Sequence, residues 1–166
     1  LIDADVRGVV LPPPLSESTV VRDLLAEAGI PWAAIAMGAH EPGALNVRID
    51  DFGAARAMTR HLIELGHREI GFIKGHFNQI ASAERHRGFL AALEEAGIDP
   101  ASARVEQGLF TYRSGLEAAE RILAGPGAPT AIFASNDDMA AAAVGVAHRH
   151  GLQVPGDLSI VGFDDT

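Results

Sequence analysis

The sequence predicts an α/β fold in which parallel sheet is covered by helices. Two observations carry this. Short apolar runs alternate with long amphipathic stretches along the chain. Strands separated by helices of that length need right-handed crossover connections, which give parallel pairing. In addition, each apolar run from residue 70 onward is followed by a loop or helix start that carries polar or aromatic groups. In a parallel sheet those positions fall along one edge, where open α/β folds bind ligands.

The elements follow in order. Gly8–Leu11 reads as a buried strand closed by Pro12, Pro13 and Pro14. Thr19–Ala28 is an amphipathic helix with Val20, Leu24 and Leu25 on one face and Gly29 as its stop. Trp32–Met37 is a second buried strand, with Trp32 in the core. Gly38–Ala44, which includes His40, is a loop, and Leu45–Ile49 is extended. Asp51–Leu65 is a helix whose Ala55, Met58, Leu62 and Leu65 lie near helical spacing, with Gly66 as C-cap. Ile70–Ile73 is a strand and Ser82–Ala96 a helix ending at Gly97. Val105 belongs to a short strand that ends at Gly108. Thr111–Leu123 is a helix broken by Gly125, Pro126 and Gly127. Thr130–Ala134 is a strand, and Asp137–His150 an alanine-rich helix ending at Gly151. Ser159–Val161 is the last strand, fed by the turn Pro155, Gly156, Asp157.

Composition bounds the function. The chain has 166 residues, a length expected for one domain, and its 48% hydrophobic and 21% charged content is that of a globular protein. It has no cysteine, so disulfide frameworks and Cys-ligated metal or redox sites are excluded. A net charge of −9 repels phosphate backbones and makes this chain by itself a poor nucleic-acid binder. No run approaches membrane-spanning length. The chain opens on Leu1 in mid-pattern and stops just after two carboxylates, which leads us to expect a part of a larger protein.

Several residues at the expected sheet edge could carry chemistry. Arg85 lies near a helix start and could hold a carboxylate or clamp two hydroxyls with its fixed fork of donors; the alternative is a surface salt bridge with Glu84 or Glu69. Asn136 and Asp137 open the alanine-rich helix. Capping explains Asp137, whereas the amide of Asn136 both donates and accepts and suits a hydroxyl-rich ligand. Phe110 could stack on a ring or pack in the core. Asp164 and Asp165 are adjacent at a strand end, where neighbours point to opposite faces. One acceptor facing a ligand, with its neighbour structural, fits them better than a metal pair or a catalytic pair. The seven histidines show no ligand spacing, and no nucleotide-binding or nucleophile-elbow motif is present. No metal and no cofactor is expected, and nothing points to catalysis.

These residues sit in a set of segments that resembles the ligand-binding core of the LacI/GalR family of bacterial transcription regulators. The segments are Val47–Asp51, His61–Ile73, Glu84–Phe89 with Ala92 and Leu93, Gly108 with Phe110, Ser114 with Gly115, Pro129–Ala134, Asn136–Ala140 and Val154–Thr166. The resemblance implies a two-lobed fold similar to type I periplasmic binding proteins. Residues 1–46 would form part of the N-terminal lobe, and residues 47–166 most of the C-terminal lobe, incomplete at its C-terminal end. The family's N-terminal helix-turn-helix would lie outside this chain. By position, the resemblance makes Arg85 the effector clamp, Asp164 an effector acceptor, Asn136 a polar contact and Phe110 the aromatic that packs on the effector ring. Gln79 and Ser82, with Ala81, fall in the variable specificity segment, and Asp50 lies at the lobe crossover.

The function implied is sensing of a small molecule, a sugar or oligosaccharide, bound between the lobes by a cytoplasmic, homodimeric regulator. Effector binding would allosterically shift the affinity of the absent domain for operator DNA. Met139, Ala140, Ala143 and Ala147 would lie at the dimer interface, and no membrane partner is implied. The alternatives are a periplasmic sugar-binding protein serving an ABC transporter, and a hydrolase using Asp164 and Asp137.

Overall fold

The structure is a computed structural model and describes residues 6–38 and 45–166. The loop expected around His40 lies largely outside the described residues. The chain divides into two compact units, Leu1–Asp50 with Asn78–Ala81, and Asp51–Phe77 with Ser82–Thr166. The first unit extends past the expected boundary at residue 46, because Val47 belongs to a strand of the first sheet.

In the first unit, β1 (Val9–Leu11), β2 (Trp32–Ile35) and β3 (Leu45–Val47) form a parallel sheet in that order. Helix α1 (Thr19–Glu27) connects β1 to β2 and begins on Ser18, whose hydroxyl accepts from Val21 N at 3.4 Å. Of its expected apolar face only Leu25 is buried, while Val20 and Leu24 are exposed. Strand alternation explains the sheet. Leu11 and Ala34 are buried, while Val10, Ile35, Leu45 and Val47, which alternate with them, are exposed. Trp32 is half-buried rather than core.

The second unit holds β4 (Ile70–Lys74), β5 (Val105–Gln107), β6 (Ala131–Ala134) and β7 (Ser159–Val161), all parallel, in the order β5-β4-β6-β7. Its helices are α2 (Asp51–Glu64), α3 (Ile80–Glu95, whose first two residues fall in the first unit), α4 (Tyr112–Leu123) and α5 (Asp137–Arg149). The central strands β4 and β6 are buried along almost their whole length, as expected for a sheet covered on both faces. Period-two alternation divides them. Ile70, Phe72, Ala131 and Phe133 pack with Ala55, Leu62, Phe89 and Leu93 of α2 and α3. Ile73, Ile132 and Ala134 pack with α4 and α5. Phe72 stacks on Phe89 with centroids 4.7 Å apart and meets Phe133 edge-on at 5.2 Å.

Helix α2 buries Ala55, Thr59, Leu62 and Ile63 rather than the expected face with Met58 and Leu65, and Leu65 is exposed. Thr59 is accommodated because its hydroxyl donates to Ala55 O at 2.8 Å. Helices α2 and α3 end at glycines in the left-handed region, Gly66 at φ 101° and Gly97 at φ 69°, a conformation with no steric penalty for glycine. Helix α4 begins with a capping box between Thr111 and Ser114.

The alanine-rich face of α5 needs a correction. Met139, Ala143 and Ala147, expected at a dimer interface, are completely buried in the core that α5 shares with α4. At Gly115 of α4 a Cβ would come within 2.7 Å of Met139 Cα. Met139, Ala143 and Ala147 therefore serve close packing inside the unit, and of the four residues named only the half-buried Ala140 keeps any surface.

Candidate functional site

The strand order fixes where a site can form. From β4 the chain crosses to β5 on one side, and from β6 to β7 on the other. The carboxyl ends of β4 and β6 therefore flank a topological switch point, where open α/β sheets bind ligands. Helix α2 precedes β4 and α3 follows it, so both helices start at this edge.

Arg85, one turn into α3, reaches the switch point and is buried, at 8% exposure. Its Nε donates to Asp51 Oδ1 at 2.8 Å, and its Nη1 donates to the carbonyl of Ser135, the residue after β6. Ser135 is held in turn, its hydroxyl donating to Ile73 O at 2.6 Å. The ring of Phe163 covers the guanidinium at 3.6 Å from Cζ, and the Phe110 centroid lies 5.7 Å away. Asp164 Oδ1 stands 3.6 Å from Nη1. The surface salt bridge considered from the sequence does not form with Arg85; Glu84 pairs with Arg87.

Burial pushes the Asp164 carboxyl above the usual carboxylate range. Arg85 pulls it back down, while Asp137, Asp51 and Asp138 push it up. The backbone here is strained. Phe110, Asp164 and Asp165 have φ of 61°, 108° and 62°, values that cost a residue with a Cβ on the order of 1–3 kcal/mol each and cluster at functional sites. Asp164 and Asp165 lie beyond the end of β7, so strand alternation does not govern which way they point.

Two glycines admit the close approaches. A Cβ on Gly75 would overlap the Phe110 ring, and one on Gly162 would overlap Asp137 Oδ1. The amide of Asn136 is occupied at both ends, Oδ1 accepting from Met139 N at 3.1 Å and Nδ2 donating to Phe110 O at 3.2 Å. Asn136, not Asp137, is thus the cap of α5, and it also anchors the strained Phe110. Asp137 Oδ2 instead accepts from Thr166 N at 2.8 Å.

The structure thus brings Arg85, Phe110, Asn136 and Asp164 together on one edge of the second unit. Ser82 is buried in the first turn of α3. Gln79 and Asp50 belong to the first unit. Three contributors were not singled out from the sequence: Asp51, Phe163 and Gln107, whose Nε2 donates to Gly75 O at 2.5 Å and Gly108 O at 2.6 Å. For Asp51 a signal was present, since the helix before β4 must start at the carboxyl edge of that strand.

Comparison with known proteins agrees with this architecture. Residues 59–166 match the family described as periplasmic binding protein-like domain. The chain is 39% identical over 146 residues to the transcriptional repressor PurR of Haemophilus influenzae, covering 86% of this chain and 43% of that protein. The crystal structure of a LacI transcriptional regulator from a Rhodococcus species superposes with a TM-score of 0.90 at 35% identity, covering all (100%) of this chain and 60% of the other. The CelR–cellobiose complex superposes with a TM-score of 0.88 at 35% identity, over 99% of this chain and 51% of that one. The chain spans less than half the length of the curated relative. It belongs to the periplasmic binding protein-like domain family, in the form found in LacI-type transcriptional regulators.

Proposed function

We propose that this chain is the effector-sensing core of a LacI/GalR-type transcription regulator. One observation carries the reading: a buried guanidinium, fixed by Asp51, Ser135 O and Phe163, stands at the switch point beside Asp164. A donor fork held next to a carboxylate and two aromatic rings suits a small hydroxyl-bearing ring, such as a sugar or oligosaccharide. The CelR relative in complex with cellobiose supports that ligand class.

In this role Arg85 donates to ligand oxygens, Asp164 accepts from ligand hydroxyls, and Phe110 offers a ring face. Ser82, in the first turn of α3, shapes specificity. Ligand shifts the affinity for operator DNA only by its differential affinity for two states of the protein. DNA contact falls to a part of the protein outside this chain, consistent with the net charge of −9. A cytoplasmic homodimer follows from that role. Among the described residues no helix is long and apolar enough to cross a membrane. The relatives compared above are transcriptional regulators, which supports sensing over sugar transport or hydrolysis.

The test is a thermal-shift screen of sugars on the full-length protein, followed by calorimetry and operator binding with the best ligand. Arg85→Ala and Asp164→Ala should each abolish the effector response and leave operator binding measurable. Unchanged effector affinity in either variant would refute the assignment.

A further inference from the structure

We propose that Asp51 sets the charge class of the ligand: by balancing Arg85 it makes the site accept neutral, hydroxyl-rich molecules and reject anionic ones. This rests on reading the Arg85–Asp164 edge as the ligand site.

An unpaired arginine at such an edge is an anion receptor, because its fork matches a carboxylate or a phosphate. Here the fork is already engaged. Asp51 Oδ1 accepts a hydrogen bond from Nε at 2.8 Å, and the pair is poorly screened, with 9% and 11% of the two side chains exposed. The carboxylate occupies the first turn of α2, where the helix dipole favours negative charge. Asp164 adds a second carboxylate, 3.6 Å from Nη1. One cation thus faces two acids, and Asp137 and Asp138 act on Asp164 in the same sense as Asp51. Groups that push a carboxyl up at that point would equally repel a carboxylate or phosphate brought in by a ligand.

The hydrogen-bonding capacity left over points the same way. Nε and Nη1 are committed, and Nη2 makes no hydrogen bond among the described residues. Its donors lie on the same guanidinium that Asp164 faces with its acceptors. A donor beside an acceptor suits adjacent hydroxyls, each of which both gives and takes a hydrogen bond. An ammonium ligand would meet the Arg85 donors, so the negative balance does not convert the site into a cation site.

The experiment is calorimetry on the full-length protein with matched pairs: glucose and glucuronate, galactose and galacturonate, ribose and ribose 5-phosphate. Wild type should bind a neutral member and prefer it to its acidic partner by about ten-fold or more. Asp51→Asn keeps an acceptor for Nε and removes the charge, so the preference should shift toward the acid by about ten-fold. Asp51→Glu, which keeps the charge and moves it, should lose affinity and retain the preference.

Wild type that binds no neutral member, or binds an acid better, overturns the inference whatever the variants do. If Arg85→Ala abolishes binding but Asp51→Asn leaves the preference unchanged, the site reading stands and the role of Asp51 falls. If Arg85→Ala binds as wild type does, the site reading itself falls.

Discussion

Phe163 lies over the guanidinium of Arg85, its ring centroid 3.6 Å from Cζ. The ring fixes the plane in which the arginine's donors fan out and keeps water off one face. A contact of this kind contributes about 1–2 kcal/mol where it is desolvated. Phe163→Leu keeps much of the apolar area but removes the ring's electrostatics. Ligand affinity, measured by calorimetry, should fall about ten-fold, and the urea midpoint should drop by an amount corresponding to about 1–2 kcal/mol.

Gly75 and Phe110 should be energetically coupled. The Phe110 ring occupies the space a Cβ on Gly75 would need, and Asn136 ties down the Phe110 carbonyl, so the ring cannot move away freely. Gly75→Ala should destabilise by about 1–3 kcal/mol, the usual cost of overpacking. In a double-mutant cycle by urea denaturation, the same change should cost less when residue 110 is Ala.

His86 is a half-buried liability. Its ring centroid lies 5.4 Å from that of Phe72 and 6.5 Å from that of Phe89, and its Nε2 has no hydrogen-bond partner among the described residues. Burial, with Lys74 nearby, pulls its pKa below the ordinary value of 6.5. The unfolded chain therefore takes up the proton first, and stability is lost as pH falls from about 6.5 through the lower folded value. His86→Phe should stabilise by about 1 kcal/mol. Its advantage over wild type should be larger at about pH 5 than at about pH 8, by urea melts at both.

For Asp164 the sign is reversed. Its folded pKa is raised by burial and by neighbouring acids against the pull of Arg85. The folded state then holds the proton more tightly than the unfolded one, so stability declines as pH rises through the folded value. Asp164→Asn should melt higher than wild type at neutral pH, and the difference should shrink toward the ordinary carboxyl value of 3.8. Ligand binding should weaken in the same variant, which separates what the residue does for the site from what it does for the fold.

The strands and helices were legible in the sequence because β4, β6 and the helices around them follow two clear periods and end at glycines. Arg85 was legible as a residue at the carboxyl edge, but its partner was not. Glu84 and Glu69 are near it in sequence, whereas Asp51 is brought in by the packing of α2 against α3. The same limit applied to α5. Its alanines announced close packing without saying against what, and Gly115 of α4 is the answer. The bends that aim Phe110 and Asp164 were invisible for another reason: phenylalanine does not signal a positive φ and aspartate adopts one only occasionally, so the surrounding contacts impose it.

The order β5-β4-β6-β7 also dictates when this edge can exist. A parallel pair cannot close locally, so β4 waits for residues 105–107 and 131–134 to leave the ribosome before it has neighbours. Strand β7 is the last of the four to arrive, and it brings Phe163 and Asp164. A nascent chain that has reached only β6 can already tie Arg85 to Asp51 and Ser135, yet it still lacks the ring and the acceptor beside the guanidinium. On the proposed reading of the site, acquisition of ligand affinity during synthesis would therefore report the docking of β7 beside β6, making the effector a probe for that step of folding.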